Sequence, residues 1–292
     1  MNPLLEWLHN GPLITDGAWG TQMQQRGLEP GVCPDYWNID HPELVEAVAR
    51  LYVEAGSEII LTNTFRANPV SLEGATAEKV REVNVEGVGI SRRAAGAGVK
   101  VVASMGPTGK MMMTSEIDEA GIERAFAMQS AALAEARPDA LLLETFSDLD
   151  EASIALRASL ATGLPVVVSF AFDSGKNKDR TMMGVTPEQA ARRMAAEGAS
   201  AIGANCGAGP ESFASVGVRF RDACDLPIWL KPNAGLPVVE DGRISYSMSA
   251  EPFAAYLAGL LDAGACFIGG CCGTSPEFIS ALVAERKRCV SS

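Results

Sequence analysis

Three of the seven cysteines stand in settings that suggest chemistry. Cys206 follows Asn205, and Cys271 and Cys272 are adjacent within Gly269-Gly270-Cys271-Cys272-Gly273. Thiolate sulfur in tetrahedral geometry favours Zn²⁺, and three protein ligands with an exchangeable fourth position is the arrangement of a catalytic site. Neighbouring side chains on an extended strand point to opposite faces, so Cys271 and Cys272 reach one ion only where the backbone turns. The flanking glycines permit such a turn. Two other readings stay open, in which the pair fills space as small apolar residues or forms a redox couple. A disulfide between adjacent residues demands a strained linking peptide. Cys33, Cys224, Cys266 and Cys289 stand alone and read as buried or incidental thiols.

A zinc ion held by three cysteines lowers the pKa of a bound thiol from its free value near ~8.5, so a thiol substrate attacks an electrophilic carbon as thiolate. The alternative of activating water for hydrolysis calls for His and carboxylate ligands with a general base. The chain has only His9 and His41, both outside the strand ends identified below. Asp16 and Glu144 are carboxylates able to hold an ammonium group by charge-assisted hydrogen bonds, which suits an amino-acid thiol. Each taken alone also reads as a helix cap or a solvated end. Backbone amides in the 62–65 and 104–106 turns are candidates for the substrate carboxylate.

Residues so far apart converge only if the fold gathers them. Short Val/Ile/Leu runs fall at 13–15, 58–62, 100–104, 140–144, 166–170, 201–205, 228–231 and 266–269. Longer stretches with helical spacing follow at 42–55, 77–97, 119–136, 149–162, 187–197, 211–223, 251–263 and 276–288. Eight strand-then-helix units, with strands apolar on both faces, predict a single-domain α/β fold over residues 1–292, a (β/α)₈ TIM barrel. An open doubly wound sheet is the second choice. In such a barrel the reacting groups lie at the C-terminal strand ends, which is where Asp16, Thr62–Phe65, Ser104, Glu144, Cys206 and the cysteine pair fall. The stretches 33–41 and 173–186 read as long loops, the second either a solvated surface or a substrate lid.

Composition excludes some partners. The chain carries 24 basic against 36 acidic residues, a net charge of −12 that repels nucleic-acid backbones and anionic lipid. No apolar run approaches the ~20 residues of a membrane span, and the first ten residues lack the pattern of a secretory signal, so a cytoplasmic location is expected.

The segments Asp16-Gly17-Ala18-Trp19-Gly20-Thr21, Thr62-Asn63-Thr64-Phe65, Asn205-Cys206 and Gly269-Gly270-Cys271-Cys272-Gly273-Thr274 together resemble the homocysteine S-methyltransferase family. The resemblance implies a barrel in which Cys206, Cys271 and Cys272 bind zinc and then the sulfur of homocysteine or a similar small thiol. It implies that Asp16 and Glu144 contact the amino group, and it places Gly17, Thr64, Phe65 and Ser104 at the substrate. It also suggests Asn233 as a displaceable oxygen ligand to the metal. Thr62–Phe65 and the stretch from Ser104 to Lys110 look most like the homocysteine module of cobalamin-dependent methionine synthase. Few residues follow the barrel and the Asp-x-His-x-x-Gly signature of corrinoid modules is missing. The expected donor is therefore a methylcorrinoid such as methylcobalamin, free or carried by a separate corrinoid protein. S-methylmethionine or betaine is the alternative. A zinc hydrolase or lyase, and a non-catalytic zinc or redox module, are the readings from other classes.

Overall fold

The computed structural model describes residues 2–29, 31–240 and 243–291. All eight apolar runs form strands: β1 (Leu13–Ile14), β2 (Ile59–Leu61), β3 (Lys100–Met105), β4 (Ala140–Phe146), β5 (Val166–Phe170), β6 (Ala201–Cys206) and β7 (Ile228–Pro232). A hairpin, β8 (Pro237–Glu240) with β9 (Arg243–Tyr246), precedes the eighth barrel strand, β10 (Ala265–Ile268). The barrel strands are parallel, in the order β1-β10-β7-β6-β5-β4-β3-β2. Strands such as β2 and β5 are buried along their whole length, as expected where helices cover one side and the barrel interior the other.

Side chains complete the closure between β1 and β2. The Glu58 N–H donates to the Ile14 carbonyl at 2.8 Å, and the Glu58 carboxylate accepts from the Ile14 N–H at 3.0 Å. Nearer the mouth, Asp16 Oδ2 accepts from the Leu61 N–H at 2.7 Å. Two carboxylates thus satisfy backbone donors that a ladder would otherwise pair.

The helices start where capping residues allow. Thr76, Asp118 and Asp148 accept from backbone N–H groups at the starts of Ala77–Ala95, Glu119–Glu135 and Leu149–Leu160, and Thr186 with Gln189 forms a capping box ahead of Pro187–Ala196. The helix expected at 251–263 is broken into Ala250–Ala254 and Leu257–Asp262, because the Tyr256 N–H turns back to the Phe253 carbonyl, three residues away rather than four. A short helix, Pro3–Trp7, was not expected. Its fully buried Leu4 packs with Ile59, Val102, Trp229 and Phe267 and plugs the N-terminal end of the barrel, leaving the opposite end for the site.

Candidate metal centre and substrate cavity

β10 ends at Ile268 and the chain turns sharply through the two glycines that follow. The Gly269 N–H donates to the Leu230 carbonyl, the Gly270 N–H to the Asp16 carbonyl and the Cys271 N–H to the Pro232 carbonyl, so the turn is held between the ends of β1 and β7. A Cβ on Gly270 would lie 2.4 Å from Thr274 Oγ1, and one on Gly269 would lie 2.5 Å from the Asp16 carbonyl. Glycine is required at both by close approach. The Thr274 hydroxyl donates to the Cys271 carbonyl at 2.7 Å and accepts from the Ala18 N–H at 3.2 Å, tying this turn to the segment after β1.

Cys206 closes β6 with φ at 62°, in the left-handed region that non-glycine residues rarely occupy. Asn205 beside it is fully buried and satisfied: Oδ1 accepts from the Thr145 N–H and the Ser169 hydroxyl, and Nδ2 donates to Thr145 Oγ1 at 2.7 Å. The Asn205 amide also stands 3.9 Å from Cys271 Sγ.

These turns bring Cys206, Cys271 and Cys272 together, with all three sulfurs within 4.8 Å of one another. Cys206 and Cys272 are separated by 3.8 Å, and two thiolates on a tetrahedral zinc at about 2.3 Å each would lie about 3.8 Å apart. The trio therefore fits the ion. Hydrogen bonding to Cys271 lowers the Cys206 thiol, but hydrogen bonding to Cys272 together with burial outweighs it and pushes Cys206 up to about 11. Cys272 is lowered by its bond to Cys206, yet bonding to Cys271 and the charge there carry it up to about 12. Asn233, after β7, donates through Nδ2 to the Gly207 carbonyl at 3.1 Å, while its Oδ1 is buried without a hydrogen-bond partner. Asn233 is tied to the cysteine turns through the Gly207 carbonyl after Cys206 and through the Ala234 N–H, which donates to the Cys272 carbonyl at 3.0 Å. A buried acceptor without a partner is chemically able to ligate a cation.

A cavity of about 360 Å³ opens in front of the sulfurs. Gly17, Phe65, Ser104 and Glu144 line it, together with Pro34, which opens a short 3-10 turn (Pro34–Tyr36) continued by a helix (Trp37–Asp40) where a long loop was expected. Glu144 is 7% exposed and accepts from the Ser104 hydroxyl. Burial raises its carboxyl group above the ordinary range, opposed by Lys231 and by that hydroxyl. Thr64 is not brought to the cavity, since its hydroxyl donates inward to the Ser104 carbonyl at 2.7 Å. Asp16 is completely buried: Oδ1 takes Lys231 Nζ at 2.5 Å, while Oδ2 takes the Trp19 indole N–H and the Leu61 N–H, each at 2.7 Å. The amides expected to cradle a carboxylate are partly committed, for the Ser104 N–H donates to Thr62 Oγ1 and the Gly106 N–H to the Phe65 carbonyl.

Residues 13–286 match the homocysteine S-methyltransferase family. The chain belongs to that family. It is 30% identical over 306 residues to the methionine synthase of Mycobacterium leprae (strain TN), covering 98% of this chain and 25% of that protein. The chain thus spans about a quarter of the length of that relative. It is 27% identical over 305 residues to the S-methylmethionine–homocysteine S-methyltransferase BHMT2 of Pongo abelii, covering 97% of this chain and 80% of that protein. Among solved structures, the metallated form of the homocysteine methyltransferase MmuM from Escherichia coli superposes with a TM-score of 0.80 at 23% identity, covering 97% of this chain and 99% of that one. That likeness establishes the shared barrel fold.

Within this homocysteine S-methyltransferase barrel, two residues near the sulfurs were not picked out from sequence. Lys231 is 2% exposed and carries a charge in the otherwise apolar run Ile228-Trp229-Leu230, which was the available signal. Tyr246 on β9 packs its ring over Gly273 and stands beside Cys272; burial raises its phenol. Nothing in its polar, irregular stretch marked it. The 173–186 loop is pinned by an Arg219–Asp179 ion pair at 2.9 Å and by the Thr181 hydroxyl, which donates to the Ser147 carbonyl. No helix among the described residues is long and apolar enough to cross a membrane.

Proposed function

We propose that this protein is a zinc-dependent S-methyltransferase that moves a methyl group to the thiol of homocysteine, giving methionine. The observation that carries the reading is the convergence of three thiols on a cavity that the buried carboxylate Glu144 also lines. Cys206, Cys271 and Cys272 would hold the zinc, with Asn233 Oδ1 as the exchangeable ligand. Bound there, zinc supplies a Lewis acid that keeps a thiol ionised near neutral pH.

Glu144, oriented by Ser104, receives the substrate ammonium. Asp16 has three protein partners and about one of its four lone-pair positions left, so it completes the same negative end from behind. Phe65 and the Gly17 backbone wall the cavity, and Thr64 acts by holding Ser104. In the transfer the substrate sulfur supplies the electron pair of the new S–CH₃ bond. The donor leaves with the pair from the bond it breaks, so an open mouth in line with the sulfur is needed.

We assign a methylcorrinoid as donor, free or carried by a separate protein, on the strength of Thr62–Phe65 and the Ser104–Lys110 stretch and of the similarity to methionine synthase. The similarity to an S-methylmethionine–homocysteine S-methyltransferase favours the second reading, a small onium donor. The test is zinc-loaded protein with homocysteine, offered methylcobalamin, methyltetrahydrofolate, S-methylmethionine and betaine in parallel, with methionine measured. Turnover with methylcobalamin, or only after a corrinoid protein is added, supports the assignment. Turnover with S-methylmethionine or betaine alone replaces the donor, and none in any arm rejects the transferase reading.

A further inference from the structure

Glu151 is a buried carboxylate that neither the metal centre nor the cavity lining uses. It is 6% exposed, stands outside the cavity and occupies the third position of the helix Leu149–Leu160. A glutamate at that position commonly turns back to the cap of its own helix. Here Asp148 caps the helix by accepting from the Asp150 N–H at 2.9 Å, and Glu151 reaches across to the turn after β3. Its Oε1 accepts from the Thr108 N–H at 2.8 Å and from the Thr108 hydroxyl at 2.7 Å. Burial raises the carboxyl group, and what opposes burial is these two bonds rather than a cation. A buried carboxylate is costly unless it is bonded, so Thr108 is what holds it in place.

Thr108 is itself a junction. It is buried, its hydroxyl accepts from the Lys110 N–H at 3.3 Å, and its carbonyl accepts from the Ser71 hydroxyl at 3.3 Å. Two residues earlier, Gly106 donates its N–H to the Phe65 carbonyl at 2.7 Å, and a Cβ there would lie 2.5 Å from the Phe65 ring. The ring therefore rests directly on the turn, and it walls the cavity. The stretch from Ser104 to Thr108 is held at one end by the barrel, where the Ser104 N–H donates to Thr62 Oγ1 at 3.1 Å, and at the other by Glu151. A wall supported at both ends is set before a ligand arrives.

We infer that Glu151 is a positioning residue for the cavity: through Thr108 it fixes the turn after β3 against which Phe65 rests, and so sets that wall. This rests on the reading above that the thiol substrate occupies this cavity. Glu151 does not reach the cavity itself; its contribution is an oxygen acceptor at a fixed place, not its charge.

The experiment labels the zinc-loaded protein with 4-fluorophenylalanine and follows the Phe65 fluorine resonance, identified by its loss in Phe65→Leu, beside calorimetric binding of homocysteine. Glu151→Ala should shift or broaden that resonance and weaken homocysteine roughly three- to tenfold, with zinc content unchanged. Glu151→Gln keeps an oxygen able to accept from both Thr108 donors, so it should return the resonance to its parent position and the affinity to within about twofold of the parent. A folded Glu151→Ala protein with the parent resonance and the parent affinity has lost only a staple between two elements, and overturns the assignment. Glu151→Gln behaving like Glu151→Ala overturns it too, by placing the effect in the charge. Should Glu151→Ala fail to fold, Thr108→Val removes the hydroxyl donor alone and is expected to move both readings in the same direction by less; no change in either overturns the assignment. A parent that binds no homocysteine rejects the thiol reading, while the Phe65 resonance still decides whether Glu151 sets the wall.

Discussion

Cys206 adopts a left-handed backbone at φ 62°, and Thr145 opposite adopts one at 66°. Strain of this kind persists only where surrounding bonds enforce it, and Asn205 supplies them by holding Thr145 through both its backbone and its hydroxyl. Its effect is to aim the Cys206 sulfur at Cys272. Replacing Cys206, Cys271 or Cys272 singly by Ser should each abolish stoichiometric zinc, while Cys224→Ser and Cys266→Ser retain it, as metal analysis of purified protein would report. Crowding and burial keep the metal-free thiols protonated at neutral pH, Cys206 up to about 11 and Cys272 up to about 12. Binding zinc must expel those protons, so its affinity should rise with pH, by up to about three decades per unit, until the thiol values are reached. Competition with a chelator of known pH dependence measures this; a flat profile contradicts thiolate ligation. Glu144→Gln should weaken homocysteine binding roughly ten- to a hundredfold with zinc retained.

The site at the scale of elements depends on strand ends and on the turns that leave them. The cysteine pair was legible as a shared centre from its glycines, because two adjacent thiols converge only where extended backbone stops. Gly270→Ala tests this directly: its Cβ would lie 2.4 Å from Thr274 Oγ1, and the resulting shift should lower zinc content while costing about 1–3 kcal/mol in urea unfolding. Lys231 was hidden for the opposite reason. It closes the apolar run 228–231, where a polar strand end is expected of any barrel strand, and its meaning comes from Asp16, which lies far away in sequence and beside it across the barrel. The dual use of Asp16, as a closure of the β1–β2 seam and as the partner of Lys231, was likewise invisible, since a carboxylate at a strand end reads the same whether it faces a ligand or a backbone amide. Tyr246 entered through a hairpin whose residues follow neither period.

The whole molecule separates stability from chemistry along the barrel axis. Apolar strand cores and the Pro3–Trp7 helix occupy one end, and the polar strand ends occupy the other. The eight-unit alternation made the barrel readable because strands buried on both faces leave continuous apolar runs. The plug at residues 3–7 was missed because five residues are too few to display a helical period. Leu4→Ala should cost about 2–5 kcal/mol in denaturant unfolding and leave zinc binding in the folded protein unchanged. A net charge of −12 exerts no net pull on a zwitterion, so binding of the proposed substrate would rest on local charges at the mouth.

The central claim is that three cysteines hold a zinc ion whose remaining position is taken by the substrate sulfur. Zinc K-edge X-ray absorption on the loaded protein, recorded with and without homocysteine, tests it most directly. Three sulfurs at about 2.3 Å with one lighter ligand, becoming four sulfurs when homocysteine is added, is the expected result. A sulfur count that stays at three with saturating homocysteine, or fewer than three sulfurs at the start, contradicts it.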